Sequence, residues 1–262
     1  MRTTEVETAL AATPEDTRTG MAVGSMSAAP VVVVQFPDVW GRNVSPFGLK
    51  LEAWLRLADI PYTVQPSMDL GKAPKGKLPY IRDEGRSIGD TTLIIEHLKA
   101  TRGIDPDAGL TQRERAEALA MQRLFEEHLY FAIVWSRWID DAGWATLMPA
   151  FFGRVPAPVR GVVANRYRRR MRRTLELQGI GRHRPKEIYA MAGADLRAVA
   201  DFLDERPFLM GEQLTTVDAV AYGFLANILY VPFETELKRI AEGYPTLVAY
   251  CEAMEQGLRA ED

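Results

Sequence analysis

The sequence predicts a small α/β domain followed by an all-helical domain. Three observations carry that expectation. Strand-like runs are confined to residues 31–89, the stretch 102–110 has the composition of a linker, and everything beyond it shows helical spacing of apolar residues. The corresponding boundaries are a disordered tail over 1–29, an α/β domain over 30–101, a linker over 102–110 and a helical domain over 111–258.

The first element is Val31 to Val34, four consecutive valines between Pro30 and Pro37. An uninterrupted β-branched run of this length fits a strand covered on both faces. A loop leads to Ser45-Pro46-Phe47-Gly48, which reads as a helix entrance. Pro46 suits the first helical position, where no N–H is needed and φ is already helical, and Ser45 suits the N-cap. Phe47, Leu51, Trp54 and Leu55 then fall on one stripe, with Lys50, Glu52 and Arg56 off it. Ile60-Pro61 ends the helix, and Tyr62 to Gln65 is a second strand. Two strands joined by a helix imply a parallel, right-handed crossover.

Asp69 to Lys77 has turn composition and three lysines. Leu78 to Asp83 reads as a strand with proline near its start, Glu84-Gly85-Arg86 as a hairpin turn and Arg86 to Ile88 as the returning strand. Asp90 is a good N-cap for the helix that follows. In the second half, Thr111 caps a long amphipathic helix with a stripe at Met121, Phe125, Leu129 and Ala132. Val159 to Gln178 is a helix carrying seven arginines. Pro185 opens another, running to about Glu205. Thr215 and Asp218 have capping-box spacing ahead of an almost wholly apolar helix, the expected core of its domain. Tyr244-Pro245 opens the last one.

Composition excludes several classes of function. A net charge of −3 gives no global field for nucleic acid or a membrane surface. The single cysteine, Cys251, rules out an internal disulfide and any CxxC pair, and three scattered histidines show no metal-ligand spacing. The longest apolar run, Ala219 to Phe233, is interrupted by Asn227 and too short for a membrane span, so no membrane anchor and a cytoplasmic location are expected. The arginine helix lacks interleaved stacking aromatics beyond Tyr167, which argues against nucleic acid. It reads as a solvated face, with an anionic-ligand or partner surface as the sharper alternative.

The order of elements resembles the glutathione transferase architecture, a thioredoxin-like domain followed by a helical bundle. Four segments carry the resemblance: Ser45-Pro46-Phe47-Gly48, Lys77-Leu78-Pro79, Asp90-Thr91 and Thr215-Thr216-Val217-Asp218. Gln178 to His183, Phe208 to Gly211 and Thr216 to Gly223 resemble the failed-axon-connections and metaxin branch of that family.

The resemblance implies glutathione as co-substrate and a small electrophile as the second substrate, with a homodimer as the assembly. It implies that Ser45 donates a hydrogen bond to the glutathione sulfur at a helix N-terminus that favours the thiolate. Leu78, ahead of a cis Pro79, would pair with the cysteinyl backbone as a short added strand does. Thr91 and Asp90 would hold the γ-glutamyl end and Lys77 the glycyl carboxylate, with Arg42 a weaker candidate. Phe131, Trp135 and Trp138 are candidates for the electrophile wall, although core packing is the reading taken for most of them. Because the branch includes proteins with no established transferase reaction, the alternative is a catalytically silent binding or protein-interaction module.

Overall fold

The computed structural model describes residues 19–20 and 30–259. Among them is a five-stranded sheet in the order β1-β3-β2-β4-β5: β1 (Thr19–Gly20), β2 (Val31–Gln35), β3 (Tyr62–Pro66), β4 (Tyr80–Asp83) and β5 (Arg86–Gly89). Apart from β1, which pairs antiparallel with β3, the expected tail over 1–29 lies outside the described residues. The β2–β3 pair is parallel and crosses over through α1 (Pro46–Leu57), while β4 runs antiparallel to both β2 and β5. Val33 and Val34 point to opposite faces and are 0% and 2% exposed, so the valine strand is covered on both sides. α2 (Thr91–Arg102) follows β5 and completes the mixed α/β layer.

The rest is helical: α3 (Gln112–Arg123), a π-helical turn (Leu124–Leu129), α4 (Tyr130–Trp138), α5 (Asp141–Phe152), α6 (Ala157–Gln178), α7 (Pro185–Leu203), α8 (Thr216–Leu229), α9 (Glu236–Glu242) and α10 (Pro245–Arg259). Thr111 forms a capping box with Glu114, as its position suggests. The π turn, α5 and α9 are not distinguishable from the sequence spacing. α5 contains Pro149, and its aromatic content reads as the tail of the preceding helix.

α8 is the centre of the molecule. Every residue from Val217 to Leu229 is buried. Its first turn is fixed by Asp218, whose Oδ2 accepts from Thr215 N at 2.9 Å and Thr215 Oγ1 at 2.7 Å, while Oδ1 accepts from Leu209 N and the Tyr250 hydroxyl, each at 2.9 Å. α1 lies between the sheet and α8. A Cβ at Gly223 would stand 2.7 Å from both Lys50 N and Pro46 O, so only glycine lets the two backbones come this close. The Trp54 indole donates to Thr216 Oγ1 at 3.1 Å and ties the far end of α1 to the start of α8. One core cluster runs across sheet and helices, a smaller one lies beneath α5 and α6, and a third gathers Val34, Ala73, Leu78 and Tyr80. Among the described residues no helix is long and apolar enough to cross a membrane.

Candidate functional site

Strand register gathers the predicted residues at one end of the sheet. Val34 pairs with Tyr80, and Tyr80 with Gly89. Beyond these pairs the three strands continue into Gln35, into Pro79 and Leu78, and into Asp90 and Thr91. The Leu78–Pro79 bond is cis. Because the parallel crossover leaves β2 at this same end, the N-terminus of α1 and Ser45 return to it.

Ser45 is a half-buried N-cap with extended backbone, and its Oγ accepts from Gly48 N at 3.4 Å. That bond uses an oxygen lone pair and leaves the hydroxyl proton to be donated elsewhere. Asn43 shapes the approach to it. Its Oδ1 accepts from Ser45 N at 2.9 Å, and its Nδ2 donates to Phe36 O at 2.9 Å. A Cβ at residue 48 would stand 2.5 Å from that Oδ1, which accounts for Gly48.

The other members of the set differ in setting. Asp90 is exposed and caps α2, accepting from Thr92 N at 3.0 Å and Leu93 N at 3.3 Å. Lys77 is exposed, whereas Leu78 and Pro79 are buried. Thr91 is 5% exposed and already engaged, because its hydroxyl oxygen accepts from Lys50 Nζ at 3.0 Å. Arg42 pairs with Glu255 at 3.1 Å and lies over the Tyr230 ring at 4.8 Å, which commits it to the C-terminal helix region.

Two buried cations beside the predicted residues escape sequence reasoning. Lys50 lies off the apolar stripe of α1 yet is 0% exposed, because α1 is covered by the sheet on one side and by helices on the others. Its ammonium meets Glu126 Oε1 at 2.5 Å. Burial pulls the Lys50 pKa below its ordinary value, and the Glu126 carboxylate works against that shift. Glu126 reaches this position from the π turn, and Gln122 Nε2 donates to its Oε2 and to Thr92 Oγ1, both at 3.0 Å.

The second is Arg137 of α4. It donates to Val44 O at 2.6 Å and to Asn227 Oδ1 at 2.9 Å, and it also bonds Asn227 O. Asn227 Nδ2 in turn donates to Asn43 O at 3.2 Å. The loop that presents Ser45 is therefore held from the helical side at two consecutive carbonyls. Burial lowers the Arg137 pKa to about 10, so the guanidinium is still charged at neutral pH. The signal for each residue is a cation within a helix whose neighbours are otherwise apolar.

The aromatic candidates are mostly core. Trp135 is buried edge-on to Tyr189, and Trp138 joins Trp144, Phe151 and Phe152 in the smaller cluster. Phe131 is half-buried against Tyr130. A groove of about 950 Å³ is lined by α7, α9 and Tyr244 and includes none of the residues predicted for the site. A smaller cavity of about 210 Å³, lined in part by Arg42, Asn43, Glu52, Tyr222 and Glu255, borders the loop ahead of Ser45. No cluster able to hold a metal ion occurs among the described residues.

A model of the glutathione S-transferase N-terminal domain matches residues 46–143, and one of the C-terminal domain matches 192–254. Isoprene-epoxide–glutathione S-transferase of Rhodococcus sp. strain AD45 is 35% identical over 234 residues, covering 86% of this chain and 98% of that protein. The chain belongs to the glutathione S-transferase family.

Within the family it is also similar to failed axon connections of Drosophila melanogaster, 29% identical over 198 residues (72% of this chain, 47% of that one). Human metaxin-1 is 28% identical over 243 residues (88% and 52%). The chain thus spans about half the length of these two relatives. The transferase fold recurs in glutathione transferase GSTFuA3 from Phanerochaete chrysosporium, at a TM-score of 0.58 and 14% identity over 90% of this chain and 98% of that one.

Proposed function

We propose that this transferase binds glutathione at the sheet end built by Ser45, Leu78–Pro79 and Asp90–Thr91, and adds its thiolate to a small electrophile. The observation that supports the reading is the register, in which Val34, Tyr80 and Gly89 align at the end of the sheet where β2 leads toward Ser45, β4 follows Pro79 and β5 leads into Asp90. Leu78 offers backbone groups to the cysteinyl unit, Asp90 accepts from the γ-glutamyl ammonium, Thr91 donates to the γ-glutamyl carboxylate and Lys77 faces the glycyl end. A glutathione-binding domain over 30–101 and a helical domain over 111–258 follow from this reading, with a homodimer in the cytoplasm as the working form.

A free thiol has a pKa of about 8.5 and is largely protonated at neutral pH. The Ser45 hydroxyl and the α1 N-terminus favour its anion. Similarity to an isoprene-epoxide transferase over 98% of that protein's length supports an epoxide as the electrophile. The sulfur–carbon bond then forms as one ring carbon–oxygen bond breaks, and the alkoxide takes a proton from solvent. Ser45→Ala is expected to lower kcat on an epoxide by about 100-fold, the scale for removing one preorganised donor. Glutathione affinity in calorimetry should hardly move. Unchanged turnover removes Ser45 from the reaction, and no heat with millimolar glutathione removes the reading altogether.

A second reading, a protein-interaction module without chemistry, is favoured by one surface. Arg166, Arg169, Arg170 and Arg173 form a single exposed stripe on α6, flanked by Val162 and Leu177 at 69% and 65% exposure. Loss of glutathione binding in the same calorimetry would leave this reading standing.

A further inference from the structure

We infer that Lys50 is a positioning residue, which turns the Thr91 hydroxyl into a fixed donor toward a carboxylate of the bound peptide. The inference rests on the glutathione reading above and adds a residue that reading does not contain. A threonine hydroxyl has one proton and two lone pairs, whereas an ammonium can only donate. With Lys50 Nζ 3.0 Å from Thr91 Oγ1, the oxygen accepts and its proton points away from Lys50. As the first residue of α2, Thr91 has no preceding helical turn whose carbonyl would take that proton. The hydroxyl proton is left for a ligand acceptor at the α2 N-terminus.

Packing alone does not account for the ammonium. A buried ion pair is often replaced by apolar side chains of similar volume without loss of stability. Here the pair is fully satisfied instead. Glu126 Oε1 takes Lys50, while Oε2 takes Gln122, which also reaches Thr92 Oγ1, and lies 3.5 Å from the half-exposed Arg123 guanidinium. The helical region thereby addresses both threonines of the α2 first turn, and Glu126 balances the Lys50 charge. What Lys50 contributes to ligand binding is therefore direction rather than net charge.

The test is calorimetry with glutathione and with 4-aminobutyryl-cysteinylglycine, which lacks only the γ-glutamyl α-carboxylate. The wild-type protein should prefer glutathione by at least about 10-fold, the scale of a hydrogen bond to a charged group. Lys50→Met combined with Glu126→Leu removes the pair without stranding a buried charge, since Arg123, which also meets Glu126, is half exposed, and should cut that preference severalfold. Adding Thr91→Val to the pair should cut it no further than Thr91→Val alone. A preference untouched by the pair replacement, or losses that multiply in the triple variant, would overturn the inference. If the pair replacement does not fold, Thr91→Val decides alone, since an unchanged preference there also overturns it. Failure of the wild-type protein to bind glutathione is a separate result and sinks the parent reading as well.

Discussion

Lys50 and Arg137 are two cations buried where the sheet meets the helices, and they are accommodated in opposite ways. Lys50 meets a carboxylate, so the pair is neutral as a unit. Arg137 has only carbonyl and amide oxygens as hydrogen-bond partners among the described residues, with the Phe233 ring 4.9 Å from its guanidinium carbon. A neutral pair can be exchanged as a unit. A lone guanidinium that satisfies several acceptors cannot, because removing it leaves each of them dry. Arg137 is thus a structural clamp on the Ser45 loop, whereas Lys50 is exchangeable together with its carboxylate partner.

The largest expected effect follows from that contrast. Arg137→Met should destabilise the fold by about 3 kcal/mol or more, since Val44 O and Asn227 Oδ1 lose their donor together. Urea unfolding measures it, and a loss below about 1 kcal/mol would break the comparison. Lys50→Met alone should cost about 3 kcal/mol by stranding Glu126, and adding Glu126→Leu should recover most of it. Equal instability of the single and double variants would mean that Lys50 is as irreplaceable as Arg137.

Gly223→Ala sharpens the comparison by displacing α1 with both cations left intact. Its methyl group would meet the α1 backbone, and a cost of about 1–3 kcal/mol in thermal unfolding is expected. The smallest effect belongs to a partly exposed cation that serves as baseline. Lys99 Nζ lies 2.5 Å from Asp107 and 2.9 Å from Asp105. Burial works to raise the Asp105 pKa, but the hydrogen bonds from Lys99 and the Asp107 N–H, together with the Lys99 and Arg115 charges, outweigh it and the net shift is downward. A depressed carboxylate pKa contributes stability above the unfolded value that is lost as pH falls through the folded one. Asp105→Asn should therefore flatten the acid limb of the stability curve by less than about 1 kcal/mol. A larger change would show that surface pairs here rival the buried ones.

Much of the fold was readable because it depends on local chemistry. Ser45-Pro46 at a helix start, the crossover implied by two strands and one helix, and the Thr215–Asp218 box each need only neighbouring residues. The proposed site was readable only where its residues sit in such local motifs. Lys50 was not, because stripe analysis assumes that a helix has one wet face, and α1 has none at that position. Arg137 sits among aromatics, where spacing suggests core and says nothing about which carbonyls need a donor. Glu126 depends on a π turn, for which the sequence carries no spacing signal. α5 and α9 were passed over although Asp140 caps the one and Thr235 and Gly243 bound the other, because an apolar-stripe reading does not pick out such local caps.

The π turn has a consequence of its own for how this family member can vary. Such a turn takes in more residues per revolution than an α-helix, so it works as a phase shift within one rod. Gln122 and Glu126 are set in one phase toward α1 and α2, and Arg137 in another toward the Ser45 loop. Deleting one residue between 124 and 129 would let the rod close as uniform α-helix. Because a π turn takes up one extra residue within an otherwise α-helical rod, the segments on either side would keep nearly the same phase. What would change is the turn itself, so Glu126 would leave the position from which it meets Lys50 and Gln122, while Arg137, beyond the turn, would keep its hold on the Ser45 loop.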